Sequence, residues 1–134
     1  MHKQDVENCA DWLVARLTGA GLITEKHATP GTPVVVAKSK PRPDRPTGVI
    51  YGHYDVQPPD PLELWETGPF EPEVRGENIF ARGASDMKGQ VMAAVNAVEA
   101  VKKFGNLPLN IKFMLEGEEE IGSPSMVDYL TANK

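Results

Sequence analysis

Three short stretches of this chain bring together side chains that could ligate a metal. The first is Gly52-His53-Tyr54-Asp55-Val56-Gln57-Pro58, where an imidazole and a carboxylate stand two residues apart. In extended backbone, residues two apart point to the same side. His53 and Asp55 therefore leave the chain side by side, the pairing in which a carboxylate fixes the neighbourhood of a metal-binding histidine. The second is Gly83-Ala84-Ser85-Asp86-Met87-Lys88-Gly89, a lone aspartate after small residues, open to approach by two ions at once. The third is Glu116-Gly117-Glu118-Glu119-Glu120. Of two adjacent glutamates, one can ligate while the next serves a water as general base. A histidine with carboxylates and no thiolate suits Zn²⁺, Mn²⁺ or Co²⁺ rather than a Cys-rich structural zinc site.

Each stretch also has an ordinary reading. Glu118, Glu119 and Glu120 on their own read as a solvated acidic turn. Asp86 reads as a helix cap, and His53 as a structural histidine. Three such coincidences at three strand ends in one short chain weigh less than a single shared metal site.

The elements that must position these groups follow from periodicity. Val6, Cys9, Ala10, Leu13, Val14 and Leu17 recur at three- and four-residue steps, which predicts a helix over residues 4–20, with Trp12 at the edge of the core. Residues 33–38 are a β-branched run and a strand. The proline-bearing basic segment 39–47 reads as a solvated hairpin tip. Residues 48–51 form a buried strand that delivers His53 and Asp55. Five prolines within residues 57–76 argue against any regular element there, with Trp65 and Phe70 pinning the loop down. A short strand over 78–82 leads to Asp86. A helix over 87–104 lines one face with Val91, Ala94, Val95, Val98, Val101 and Phe104. Leu109, Ile111, Phe113 and Leu115 alternate with polar or flexible neighbours, a strand signature that runs into the glutamates. Ser123-Pro124 reads as an N-cap and first helical residue, opening a last helix with Met126, Val127 and Leu130. Strands alternate with helices, so the fold class is α/β, a mixed sheet flanked by helices with its site at the carboxyl ends of the strands.

The chain has 134 residues, 40% hydrophobic and 25% charged, enough for one domain with a core. The net charge of -5 argues against nucleic acid or an anionic membrane as partner and suits carboxylates gathered around a cation. No apolar run reaches membrane-spanning length, and the N-terminus lacks the layout of a signal peptide. The single cysteine, Cys9, reads as a buried thiol. These features favour a cytoplasmic setting.

The same residues resemble the M20 metallopeptidases, the group that includes aminoacylase, acetylornithine deacetylase, succinyl-diaminopimelate desuccinylase and the carnosinase-like dipeptidases. The resemblance runs from about residue 5 to the end of the sequence. It is carried by Tyr51-Gly52-His53-Tyr54-Asp55-Val56-Gln57-Pro58, by Trp65 and Pro69-Phe70, by Arg82-Gly83-Ala84-Ser85-Asp86-Met87-Lys88-Gly89, and by Leu115-Glu116-Gly117-Glu118-Glu119-Glu120-Ile121-Gly122-Ser123. The His-Tyr-Asp-Val-Gln-Pro and Leu-Glu-Gly-x-Glu-Glu wording is most similar to the dipeptidase branch.

The resemblance implies a partial zinc-peptidase (aminopeptidase-like) catalytic domain. His53 would ligate one metal with Asp55 behind it, Asp86 would bridge two divalent ions, Glu120 would ligate the other and Glu119 would be the general base. Glu118 receives no role. A cis peptide after Asp86 is implied as well. The implied activity is hydrolysis of the amide bond of a dipeptide or small N-acyl amino acid by water activated at a two-metal centre, with Zn²⁺ the leading metal. A deacylase or desuccinylase of the same family is the runner-up, and a non-catalytic metal-binding α/β domain is the reading outside the enzymes. Residues 1–134 correspond to the N-terminal part of the family's catalytic domain. The family's lid and dimerisation domain, its further metal ligands and its homodimer contacts have no counterpart here, and neither His2 nor His27 falls in a matching motif. A sheet edge and apolar surface are then expected to stand open, with self-association as the result.

Overall fold

The computed structural model describes residues 2–133. Helix α1 (Lys3–Gly19) buries Ala10, Leu13 and Leu17. Trp12 does not join them: it is 53% exposed, because one residue along a helix is a turn of about 100° away from Leu13. Two short strands follow, β1 (Ile23–His27) and β2 (Val34–Lys38), paired antiparallel. The sequence Ile23-Thr24-Glu25-Lys26-His27 carries no clear apolar alternation, so β1 was not legible. It forms because β2 offers it a backbone ladder.

Strand β3 (Thr47–His53) does not pair with β2. The segment between them is therefore no hairpin tip. Strand β6 (Asn110–Glu116) lies between the two, antiparallel to β2 and parallel to β3, so the sheet runs β1-β2-β6-β3. Val34 to Ala37 are buried on both faces, the mark of an interior strand that needs a partner on each side. The Asn110 side chain anchors the 39–47 segment, accepting from Arg42 N (2.9 Å) and donating to the carbonyls of Arg42 (2.9 Å) and Arg45 (3.0 Å).

Helix α2 (Gly89–Phe104) lies in the long crossover that parallel strands require. It buries Val91, Val95 and Val98 against Ile111, Phe113 and Leu115 of β6 and against α1. The apolar stripe stops there. Val101 is exposed and Phe104 is 83% exposed, while Lys102 holds the last turn by donating to the Ala20 carbonyl (2.9 Å). On the other face of the sheet, Val34 and Val36 pack with Met126 of α3 (Pro124–Ala132).

The proline-rich stretch is more ordered than its composition implies. It contains a single helical turn at Leu62–Leu64 and the strand β4 (Glu73–Arg75), which pairs antiparallel with β5 (Asn78–Phe80). Gly76 sits at φ 61 as first residue of the two-residue turn, a conformation such hairpins use. Trp65 does pin the loop: its Nε1 donates to the Pro59 carbonyl (2.7 Å) and Arg82 stacks 5.3 Å from its ring centre. Phe70 is exposed and does not. Among the described residues, no helix is long and apolar enough to cross a membrane.

Candidate metal centre

The parallel pair β3 and β6 ends at one edge of the sheet, with His53 opposite Glu116. Gly52, one residue earlier, lets α2 approach: a Cβ there would meet Val91 Cγ2 at 2.6 Å. His53 is 3% exposed, held in the wall of the site. Its Nδ1 lies 3.3 Å from Asp55 Oδ1 and 3.3 Å from the Asp55 carbonyl oxygen. The side-by-side arrangement expected from their spacing is present.

Asp86 reaches the site from a different direction. Its preceding strand, β5, is not part of the main sheet. Gly83 at φ 80 turns the chain into the irregular segment Ala84–Lys88, where Asp86 is extended (φ -137, ψ 98) rather than helical. Asp86 is thus no helix cap. The Asp86–Met87 peptide is cis, as the resemblance implies. Asp86 Oδ1 lies 3.1 Å from His53 Nε2.

The glutamates occupy a turn after β6, with a short helical segment at Glu119–Ile121. It is not a freely solvated turn. The Asp55 carboxylate accepts the backbone N–H groups of Glu119 (3.3 Å) and Glu120 (3.1 Å). Glu119 Oε2 stands 3.8 Å from His53 Nε2. Gln57 Nε2 donates to Glu120 Oε2 at 2.7 Å. The candidate ligand atoms of His53, Asp86 and Glu120 lie within 4.8 Å of one another.

Both nitrogens of His53 therefore face oxygen acceptors. A neutral imidazole has only one N–H, so one of these contacts calls for a second proton or a cation. Burial works to lower the His53 pKa, yet the Asp86 hydrogen bond and the charges of Asp55 and Glu119 outweigh it and hold the ring above its ordinary value. An imidazole nitrogen and convergent carboxylates are a donor set that fits a borderline divalent ion.

Three further supports come from the fold. Glu116, 2% exposed, accepts from Tyr51 Oη (2.6 Å) and Ser123 Oγ (2.8 Å). Ser123 is consequently no side-chain cap; it sits at φ 56 while Pro124 opens α3. Gln57 holds Glu120, a role its place within the first motif could have suggested. Glu118 is buried among backbone donors, which nothing in a run of glutamates could reveal.

The sequence profile of Peptidase family M20/M25/M40 matches residues 49–134, and so takes in every stretch that meets at this site. The chain belongs to peptidase family M20. It is 34% identical over 122 residues to a cysteinylglycine-S-conjugate dipeptidase of Corynebacterium striatum, covering 90% of this chain and 27% of that protein. It is 39% identical over 118 residues to the Beta-Ala-His dipeptidase of Homo sapiens, covering 87% and 23%. An M20 family metallo-carboxypeptidase from Sulfolobus solfataricus superposes with a TM-score of 0.90 at 37% identity, covering 96% and 29%. The chain thus spans under a third of the length of these relatives.

Proposed function

We propose that these residues form the N-terminal part of an M20-type hydrolytic centre that cleaves the amide bond of a dipeptide or a small N-acyl amino acid. The observation that carries this reading is the convergence of His53, Asp86 and Glu120 within 4.8 Å, with Glu119 beside them. The dipeptidase names of the relatives support the substrate class. Because the chain matches less than a third of each relative, the activity is proposed for a protein in which these residues meet the rest of a family M20 enzyme. His53 would hold one of two divalent ions, Zn²⁺ first among the candidates, Glu120 would hold the other, and Asp86 would serve both. Such ions, when bound, supply Lewis acidity and acidify the attacking water.

The chain's own groups do the rest. His53 Nδ1 faces the Asp55 carbonyl oxygen and the Asp55 carboxylate, each at 3.3 Å, so an N–H there presents Nε2 as a ligand in a set orientation. Glu119 takes a proton from the water as it attacks the amide carbonyl, then returns that proton to the leaving amine nitrogen, so that the amide bond breaks to an acid and an amine.

The test compares divalent metal content and dipeptide hydrolysis of the protein with those of Glu119→Ala and Glu120→Ala, after Zn²⁺ or Mn²⁺ loading. Glu119→Ala is expected to keep its metal while turnover falls on the order of a hundred- to ten-thousand-fold, the usual worth of a general base. Glu120→Ala is expected to lose metal. Metal-independent hydrolysis, or full turnover by Glu119→Ala, would refute the reading.

A further inference from the structure

Glu118 stands next to the two carboxylates assigned above yet points the other way. It is 5% exposed. A carboxylate is rarely buried unless it is paired or well hydrogen-bonded. Its partners carry no charge: Oε1 accepts from Thr32 N (2.9 Å) and Oε2 from Ser125 N (3.0 Å). Thr32 belongs to the segment that enters β2, and Ser125 N is one of the free donors in the first turn of α3. One side chain thus ties together two elements that are far apart in sequence.

The surroundings are shaped for it. A Cβ at Gly31 would collide with Glu118 Oε1 and come within 2.7 Å of Ser125 Oγ. The segment entering β2 is gripped a second time, by Tyr54, whose hydroxyl donates to the Pro33 carbonyl at 2.5 Å. Tyr54 sits between His53 and Asp55, and a Cβ at Gly117 would meet its ring at 2.6 Å. Residues 31–33 therefore act as a strut between the His53–Asp55 strand end and the glutamate turn. The Glu118 carbonyl closes that turn, accepting from Ile121 N (3.2 Å) and Ser123 N (2.8 Å). The backbone from which Glu119 and Glu120 project is thus held by Glu118 at both its side chain and its carbonyl.

We infer that Glu118 is a positioning residue, whose buried carboxylate sets the placement of Glu119 and Glu120 against His53; the inference rests on the reading of that pair given above. Glu118→Gln keeps the volume but turns an amide NH₂ toward one of the two backbone donors. Gly31→Ala displaces the same carboxylate while keeping its charge, and so separates placement from electrostatics.

The experiment follows backbone amide exchange in the metal-free protein and Zn²⁺ affinity by competition with a chromophoric chelator. In both variants, exchange at Glu119 and Glu120 is expected to quicken about tenfold relative to the β2–β6 ladder, and Zn²⁺ affinity to fall about tenfold or more, as when a ligand's support is removed. Unchanged exchange at Glu119 and Glu120, or an equal rise across the whole sheet, would overturn the inference, as would wild-type Zn²⁺ affinity in either variant. Should the unaltered protein bind no Zn²⁺, the centre proposed above falls, and amide exchange by itself still decides the role of Glu118.

Discussion

The Asp55 carboxylate accepts the backbone N–H of Glu120 at 3.1 Å, across 65 residues of sequence. The same carboxylate lies 3.3 Å from His53 Nδ1. Asp55 therefore orients the imidazole and caps the glutamate turn together. Asp55→Asn keeps the shape, but its NH₂ must face at least one of these donors. Zn²⁺ affinity should fall about 10–100-fold, with the fold intact by circular dichroism. An Asp55→Asn variant that titrates with zinc like the original would remove Asp55 from the site.

Helix α2 packs closely on β3 at Gly52, the residue before His53. Gly52→Ala would put a methyl 2.6 Å from Val91 Cγ2, an overpacking that costs about 1–3 kcal/mol. Combining it with Val91→Ala should return part of the loss, because touching residues are not additive. Thermal melts of the two single variants and the double variant check this; strict additivity would show that the contact does not limit the packing.

At the alkaline side, Tyr51 gives a signed expectation. Although the residue as a whole is 48% exposed, partial desolvation of its hydroxyl, then the hydrogen bond to Glu116, push its phenol up to about 12. A phenol in an unfolded chain titrates near pH 10, roughly its reference value. The folded state thus holds the proton more tightly, so stability from this group is complete below about pH 10 and declines as pH rises toward 12. Denaturant midpoints measured from pH 9 to 11 should decline less steeply for Tyr51→Phe. Equal slopes would count against the Tyr51–Glu116 bond.

Strand β3 is an open edge of the sheet. Val49 and Tyr51 on it are exposed, as are Ile121, Val127 and Leu130. Open apolar edges pair with other chains, and a lysine on the edge opposes this. Sedimentation of the 134-residue chain should show association that grows with concentration and weakens in Val49→Lys. A concentration-independent monomer would contradict the expectation.

The chemistry and the class of fold are legible in the residues alone. The residue types at 53, 55, 86, 119 and 120 name the donor set. The spacing of Leu13 and Leu17, the alternation of Ile111, Phe113 and Leu115, and the valines at 91, 95 and 98 mark which faces are buried. These are local signals, because side-chain periodicity is a property of a single element. Pairing is not local. Folding alone placed β6 between β2 and β3, recruited β1 from a polar stretch, and formed a hairpin at Glu73–Phe80 amid prolines. Buried polar roles were equally hidden. In sequence Glu118, Glu119 and Glu120 are three copies of one residue type. The fold distinguishes them, turning Glu118 inward onto the Thr32 and Ser125 amides and its neighbours toward His53. A carboxylate's role depends on which donors and charges surround it, and those come from segments the chain brings together only by folding.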